Sequence, residues 1–195
     1  ADFVIERSRL AMLERIRDIP FGCYENRMRI DGYDRELDLV CALTVSKSGI
    51  EVDFAGTSPI SNRGINVPLT YTRAYASFGV RCVVGSHIPN NAGSLGTIHV
   101  TAPEGSILNA PRPCAVSARH AVGQMLPDVV LGCLGQALEA TVPAEGASCL
   151  WNPVLMGGEG LTGQHAYGKA EPFVVNPFHT GGTGARPGKD GLSAT

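Results

Sequence analysis

The chain has 195 residues, of which 44% are hydrophobic, and its 16 Lys and Arg against 18 Asp and Glu give a net charge of −2. This length and composition are typical of a single globular domain that buries roughly 70% of its unfolded surface. The basic residues form no run, and no apolar stretch reaches the ~18 residues of a membrane span, so the sequence argues against nucleic-acid binding and membrane attachment.

The first part of the chain predicts a helix followed by a β-hairpin. Residues 5–17 carry apolar side chains at helical spacing with charges between them, and Pro20 ends this pattern. Two apolar runs, ELDLVCALTV and GIEVDFAG, then flank the turn-forming residues SKSG. Gly49 in this turn is able to adopt a positive φ, which strengthens the prediction of a hairpin.

The middle of the chain predicts further helices and one short strand. LTYTRAYASFGVRCVV is typical of a helix, GSHIPNNAGSLG of a loop and TIHVTAP of a strand. Residues 115–140 alternate small and apolar side chains, which indicates two helices, or one helix that restarts at Pro127. Strands and helices thus fall in separate blocks, so we expect an α+β fold with a mixed or antiparallel sheet, packed helices and long glycine-rich loops.

The cysteines and histidines do not show the spacing of a metal site. The six cysteines include no C-x-x-C pair, and no histidine lies at zinc-ligand spacing from them or from another histidine. Most cysteines have apolar neighbours, which predicts small buried side chains with reduced thiols. From the spacing of these residues we expect no metal ligand in this part of the protein. The N-terminus does not have the pattern of a signal peptide, so we expect a cytoplasmic protein.

Residues 179–191, HTGGTGARPGKDG, contain five glycines and three charged residues. They are not a P-loop, because Thr183 stands where that motif has its first glycine and Asp190 where it has the metal-binding hydroxyl. The glycines permit unusual backbone conformations, and successive N–H groups could form an anion nest beside Arg186 and Lys189. Three interpretations stay open: a loop that faces substrate or phosphate, a subunit contact, or a disordered end.

Several blocks together resemble the hydantoinase B/5-oxoprolinase family, which includes N-methylhydantoinase B-type subunits and is related to acetone and acetophenone carboxylase subunits. In family order these blocks are VDFAGTSPISNRGINVPLTYTRA, HIPNNAG, APEGSILNAPRPCAVSARH, DVVLGCLGQALEATVPAEGAS and GGTGARPGKDG. They run over nearly the whole chain. The sequence departs from the family in two places: Gly96 and Thr97 stand where the family usually has Arg-Pro, and Cys114 stands where it usually has alanine.

The resemblance implies that the chain is a single central fragment of a longer subunit. The family's amino-terminal block, whose histidines and aspartate look like its metal site, and its later glycine-rich block are not in this sequence. Within the fragment we expect residues 1–150 to form the folded core and residues 151–195 a glycine-rich loop region.

The resemblance also implies an activity. Family members work with a hydantoinase A-type ATPase subunit or fused domain, and together they couple ATP hydrolysis to the opening of hydantoin-like rings or 5-oxoproline. ATP would therefore enter through the partner, and a divalent metal would belong to the parent protein. Two alternatives are an ATP-dependent ketone carboxylase subunit and a fragment that serves only as a structural and interaction core. We expect the isolated fragment to be inactive.

This chemistry needs a base for water, donors for a developing oxyanion and cations for phosphate. The candidate catalytic residues are Asp53, Glu104 and Asp190. The candidate substrate-binding residues are Asn66, Asn90, Asn109, Gly182, Gly184, Arg186 and Lys189.

Several candidates also have a structural interpretation. Asp53 could cap the turn that follows it by accepting from the N–H of Gly56 or Thr57, and Asn66 could be the N-cap of the next helix. Glu104 could be an ordinary turn carboxylate, Asn90 part of a turn, and Asn109 a tie within its loop.

Overall fold

The computed structural model describes residues 1–147, 150–151, 153–158, 172–177 and 179–193. Its elements in chain order are α1 (Asp2–Arg17), β1 (Gly22–Ile30), β2 (Leu37–Ser46), β3 (Gly49–Asp53), α2 (Leu69–Val83), α3 (Ala92–Leu95), β4 (Ile98–Thr101), α4 (His120–Gly123), α5 (Leu126–Ala137), β5 (Leu150–Trp151), β6 (Leu155–Gly157), β7 (Phe173–Val175) and β8 (His179–Thr180). Cys149, His165 and most of the predicted glycine-rich region before residue 172 lie outside the described residues.

The main sheet has four strands in the order β1–β2–β3–β4. The first three strands are antiparallel, and β4 is parallel to β3, with Asp53 opposite Thr101 at the carboxyl ends of both strands. Two small antiparallel pairs, β5 with β8 and β6 with β7, complete the described strands. The predicted α+β class with a mixed sheet is therefore confirmed.

Most predicted elements are also found where the sequence placed them. The hairpin of β2 and β3 turns at Gly49, whose φ is +147°, and the helix predicted over LTYTRAYASFGVRCVV is α2. The restart at Pro127 is observed too, because α5 carries this proline in its first turn. The alternative of an Asn66 N-cap is wrong, since Pro68 occupies the N-cap of α2.

The helices and the sheet share one hydrophobic core. Every second residue of β2, from Leu37 to Val45, is buried, and so are Met12 and Ile16 of α1. Helix α2 approaches α5 closely at Gly79, where a Cβ atom would lie 2.9 Å from the Cα of Pro127. This contact needs glycine, and it fixes the beginning of α5 against the middle of α2.

Only part of the cysteine prediction is correct. Cys41 and Cys133 are buried, and the Cys133 thiol donates to the carbonyl of Cys41 at 3.6 Å. Cys23 and Cys82 are exposed, because they lie on the outer sides of β1 and α2. No helix among the described residues has the length and apolar character that a membrane crossing requires.

The face of the sheet that points away from the hydrophobic core carries a cluster of charges at the end of β1 and the beginning of β2. Arg27 and Arg29 both donate to the carboxylate of Asp38, and Arg29 also pairs with Glu36 at 3.3 Å. Hydrogen bonds from these two guanidinium groups hold the pKa of Asp38 well below its usual range. Because these hydrogen bonds favour the ionised form of the carboxylate, Asp38 stabilises the fold only while it is ionised.

We therefore expect Asp38→Asn to flatten the loss of stability in acid. A lowered folded-state pKa gives stability that is present above the unfolded pKa and disappears as the pH falls. The free energy of unfolding should thus depend less on pH below about pH 5 in the variant than in the parent chain. Urea unfolding at several pH values measures this, with Asp31→Asn as the control. Equal pH dependence in Asp38→Asn and the parent would contradict the assignment.

Candidate functional site

The structure separates the candidate residues into three places. Asp53, Glu104, Asn66 and Asn109 belong to the loops at the carboxyl ends of β3 and β4, and Asn90 belongs to the loop after α2. The remaining five, Gly182, Gly184, Arg186, Lys189 and Asp190, belong to a hairpin near the end of the chain. No hydrogen bond or ion pair joins these three groups within the described residues.

Asp53 at the end of β3 holds local structure together. Its Oδ1 accepts from the N–H of Ala55 and from the hydroxyl of Thr101, both at 3.1 Å. The carboxylate thus caps the turn through Ala55, one residue before the donors that the sequence suggested. Its side chain lies on the exposed face of the strand, so the remaining oxygen is open to solvent.

Asn66 is a buried structural residue. Its side-chain oxygen accepts from the N–H of Ser61 at 2.8 Å, and its Nδ2 donates to the carbonyls of Ser61, Arg63 and Ala115 at 2.9 to 3.0 Å. The residue is fully buried, and these bonds use both N–H groups of the amide and one acceptor position of its oxygen. Asn66 therefore joins two loops, and its amide donors are used within the fold.

Glu104 and Asn109 lie in the loop that follows β4. Nδ2 of Asn109 donates to the carbonyl of Ala102 at 2.8 Å, and its backbone carbonyl accepts from Gly105 at 3.1 Å. Glu104 is exposed beside Gly105, whose φ is +82°. Asn109 thus ties the loop together, whereas the Glu104 carboxylate faces solvent.

Asn90 is held by Arg81, a residue that the sequence did not single out. The guanidinium of Arg81 donates to Oδ1 of Asn90 at 3.1 Å and to the carbonyls of Val84, Gly85 and Ile88. Arg81 is 7% exposed, and this burial lowers its pKa. One buried cation thus holds residues 84–90 of the loop after α2, next to Asn91, which caps α3.

The glycine-rich stretch forms a hairpin rather than a phosphate loop. Arg186 and Lys189 exchange two backbone hydrogen bonds of 2.9 Å around Pro187 and Gly188. Gly188 has a φ of +70°, which is the conformation that glycine provides after proline in a type II turn. The N–H groups of Arg186 and Lys189 are therefore used inside the hairpin.

The hairpin packs along residues 144–147, which precede β5. Ala144 donates to the carbonyl of Ala185 at 2.8 Å, and Ala147 donates to the carbonyl of Gly182 at 2.9 Å. A Cβ atom on Gly184 would lie 1.8 Å from the carbonyl oxygen of Ala144. Only glycine permits this approach, so Gly184 sets how closely the two segments pair.

A cleft of about 470 Å³ lies between this hairpin and the beginning of α5. One wall includes Gly182, Gly184 and Arg186 of the hairpin. The other includes Gln124, which precedes α5, and Asp128 in the first turn of α5. This volume is within the usual range for small-molecule sites. The side chains of Lys189 and Asp190 do not line the cleft, although both residues belong to the same hairpin.

The cleft contains groups that suit an anionic or polar ligand. The N–H groups of Gly182 and Gly184 donate to no carbonyl within the described part of the chain, and Arg186 supplies a permanent positive charge. The only side-chain bond of the Arg186 guanidinium to described residues is a long one of 3.5 Å to the carbonyl of Asp190. Asp128 adds a carboxylate on the opposite wall.

The sequence reasoning missed Gln124, Asp128 and Arg81. Asp128 stands out in the sequence only as a first-turn residue of a helix, and no local pattern shows that the chain returns to it some 55 residues later. Among the described residues, no group of three His, Cys, Asp or Glu side chains could hold a metal ion.

We expect Gly184→Ala to separate the hairpin from residues 144–147, because the new methyl group would overlap the Ala144 carbonyl. Amide hydrogen exchange at Ala144 and Ala147 should become faster. Gly188→Ala is the matched control: nothing lies within 4 Å of its Cβ position, so it adds only backbone strain of about 1 kcal/mol from the positive φ. Unchanged exchange at Ala144 and Ala147 in Gly184→Ala would show that the hairpin does not depend on this close approach.

Comparisons with known proteins agree with one another. The sequence profile described as Hydantoinase B/oxoprolinase matches residues 1–195. A protein from Pseudomonas sp. (strain NS671), described as the B-type subunit of a D-/L-hydantoinase, is 27% identical over 94% of this chain and 32% of its own length. Two solved structures share the fold. The ATP-dependent caprolactamase from Pseudomonas jessenii has a TM-score of 0.76 and 18% identity over 97% of this chain and 32% of its own.

The second solved structure is acetone carboxylase in its nucleotide-free form. It has a TM-score of 0.79 and 20% identity, over 97% of this chain and 27% of its own. The chain therefore spans about a third or less of the length of these three similar proteins.

Proposed function

The chain belongs to the hydantoinase B/oxoprolinase family, and from this membership we propose that it is part of a subunit of an ATP-dependent cyclic amidohydrolase. The substrate would be a hydantoin-like ring or 5-oxoproline, and a partner ATPase subunit or fused domain would bind ATP. The observation that carries the proposal is the match of the family over all 195 residues, together with similarity to a hydantoinase subunit over 94% of the chain.

ATP is needed because an amide is stabilised by resonance and a five-membered lactam has too little strain to open quickly. In the proposed reaction the ring carbonyl oxygen attacks the γ-phosphorus of ATP, and ADP leaves. Water adds to the activated carbon, the C–N bond breaks, and the ring nitrogen takes a proton. A second water then attacks the carbon of the acyl phosphate, which releases phosphate and leaves a carboxylate.

We assign the cleft beside the glycine hairpin to the ligand. The N–H groups of Gly182 and Gly184 and the guanidinium of Arg186 suit the negative charge that develops on the ring oxygen or its phosphoryl group. Lys189 and Asp190 follow the turn of the same hairpin but do not line the cleft, so they would act in proton transfer and charge balance only on a ligand that extends beyond it.

Neither Asp53 nor Glu104 lines this cleft, so they are proposed as candidate bases for water in the case that the ring binds instead at the carboxyl ends of β3 and β4. Both are exposed; Asp53 is the last residue of β3 and Glu104 lies in the loop after the neighbouring parallel strand β4, a place where functional groups are common. Comparing Asp53→Asn, Glu104→Gln and Asp190→Asn in the parent enzyme identifies the base, because each substitution keeps the shape of the side chain and removes its basicity.

A ketone carboxylase is the second candidate function. It is suggested by the fold that the chain shares with acetone carboxylase, at a TM-score of 0.79. In that case an enolate would attack an activated bicarbonate, and no water-activating base would be required.

Phosphate release from ATP by the longer parent polypeptide with its ATPase partner distinguishes the two functions. We expect release when a hydantoin or 5-oxoproline is added, together with one ring-opened product for each phosphate. Release that occurs only with a ketone and bicarbonate would instead establish the carboxylase. We also expect no release with the 195-residue chain alone.

A further inference from the structure

The outer edge of the main sheet is open beside a second groove. Strand β4 is the last strand of the sheet and pairs only with β3 within the described residues. A groove of about 580 Å³ runs between this edge and the outer side of α2. It lies apart from the cleft assigned to the ligand, since the two share no lining residue.

The backbone groups of β4 are only half used. In a parallel pair, alternate residues of a strand direct both their N–H and C=O groups to the same neighbour. The carbonyls of Thr97 and Thr101 accept from Ile50 and Phe54 of the β3 side, so Thr97, His99 and Thr101 face β3. The backbone groups of Ile98 and Val100 therefore point to the open edge.

One of these outward groups has a partner. Nε of Arg73 on α2 donates to the carbonyl of Val100 at 3.3 Å. The N–H groups of Ile98 and Val100 and the carbonyl of Ile98 have no hydrogen-bond partner within the described residues. An edge of this kind is a template for another strand.

The groove beside this edge presents large apolar side chains. Phe78 on α2 is 60% exposed and Leu95 of α3 is 40% exposed, and both line the groove. The other lining residues include three basic side chains, Arg73, Arg81 and His99, and no carboxylate. Because the donors of Arg81 are used by its own loop, Arg73 and His99 are the basic groups that an incoming segment would meet.

We propose that an extended segment of the longer polypeptide, from outside these 195 residues, adds to the edge of β4 as a fifth strand. Its backbone pairs with Ile98 and Val100, an apolar side chain covers Phe78 and Leu95, and an acidic side chain faces Arg73. The length of the similar proteins supports this occupant, since about two thirds or more of each lies outside the matched part. The inference does not depend on which reaction the enzyme catalyses.

Amide hydrogen exchange tests the added strand directly. In the 195-residue chain the N–H groups of Ile98 and Val100 should exchange rapidly, while those of His99 and Thr101, which face β3, should be protected. In the longer parent polypeptide, exchange at Ile98 and Val100 should become about 100-fold slower or more. Equally fast exchange at these two amides in both forms would overturn the proposal.

A matched pair of substitutions separates strand addition from a general gain in stability. Phe78→Ser in the longer polypeptide should restore faster exchange at Ile98 and Val100. Phe21→Ser removes a phenylalanine of similar exposure, 57%, that does not line the groove, and should leave that exchange unchanged. Equal effects of both variants would contradict the docking role of Phe78. Protection that rises with the concentration of the 195-residue chain would assign the groove to a second copy and overturn the proposed occupant.

Discussion

Replacing Asn66 by alanine is expected to lower the free energy of unfolding by about 3 kcal/mol or more. The substitution leaves the N–H of Ser61 and three carbonyls, those of Ser61, Arg63 and Ala115, without the partner they have in the native fold. A polar group that loses its partner while buried costs about 1 to 3 kcal/mol, and the cost is smaller for the carbonyls of Arg63 and Ala115, which belong to exposed residues. Because whole domains are stable by only about 5 to 15 kcal/mol, this single amide decides much of the stability.

Urea unfolding of the chain measures the effect, and Asn62→Ala is its control. Asn62 is an exposed asparagine in the same loop, and no hydrogen bond of its side chain is found within the described residues. We expect it to change stability by no more than about 0.5 kcal/mol. A loss below about 1 kcal/mol for Asn66→Ala would show that water replaces the amide without difficulty.

Replacing Arg81 by methionine is expected to be the second large effect, also about 3 kcal/mol. Methionine keeps most of the apolar stem but removes the donors to Val84, Gly85, Ile88 and Asn90. The loop after α2 should then loosen, and exchange at the N–H of Ile88, which bonds to the carbonyl of Gly85, should accelerate. Burial lowers the pKa of Arg81, but a guanidinium remains charged near neutral pH, so the loss should not depend on pH there.

Two further variants complete this test. Arg81→Lys should be intermediate, because one ammonium group cannot reproduce the fork of a guanidinium. Arg17→Met on the exposed side of α1 should have little effect on stability. If Arg81→Met and Arg17→Met were equally mild, the buried cation would not organise the loop.

Local sequence patterns predicted those elements whose boundaries are marked by residues with a restricted or unusual backbone conformation. Pro127 marked the beginning of α5, and Gly49 marked the turn between β2 and β3, because each imposes its own backbone geometry. Strand β1 was not predicted, since Glu25, Arg27 and Arg29 alternate with its inward residues on an open face. Charged side chains are common on edge strands, and here they make the alternation of apolar and polar residues difficult to recognise in the sequence.

The site was harder to predict because its parts are distant in the sequence. Asn66 and Asn109 were chosen for their residue type, and only the folded loops show that their amides are used to join backbone segments. Asp128 and Arg186 face one cleft although more than 50 residues separate them. The resemblance to a family suggested the chemistry. The pairing of the hairpin with residues 144–147 could not be predicted, because it joins segments that are distant in the sequence.

Tracing the ring oxygen tests the proposed reaction most directly. The longer parent polypeptide with its ATPase partner would be given ATP and 5-oxoproline or a hydantoin labelled with ¹⁸O at the carbonyl that is cleaved, and the phosphate and the ring-opened product would be analysed by mass spectrometry. If that oxygen is phosphorylated and water then attacks the carbon of the acyl phosphate, the label leaves with inorganic phosphate, and both oxygens of the new carboxylate come from water. Label that stays in the carboxylate, with unlabelled phosphate, would contradict the proposed sequence, in which the ring oxygen is phosphorylated and then leaves the carbon with the phosphate.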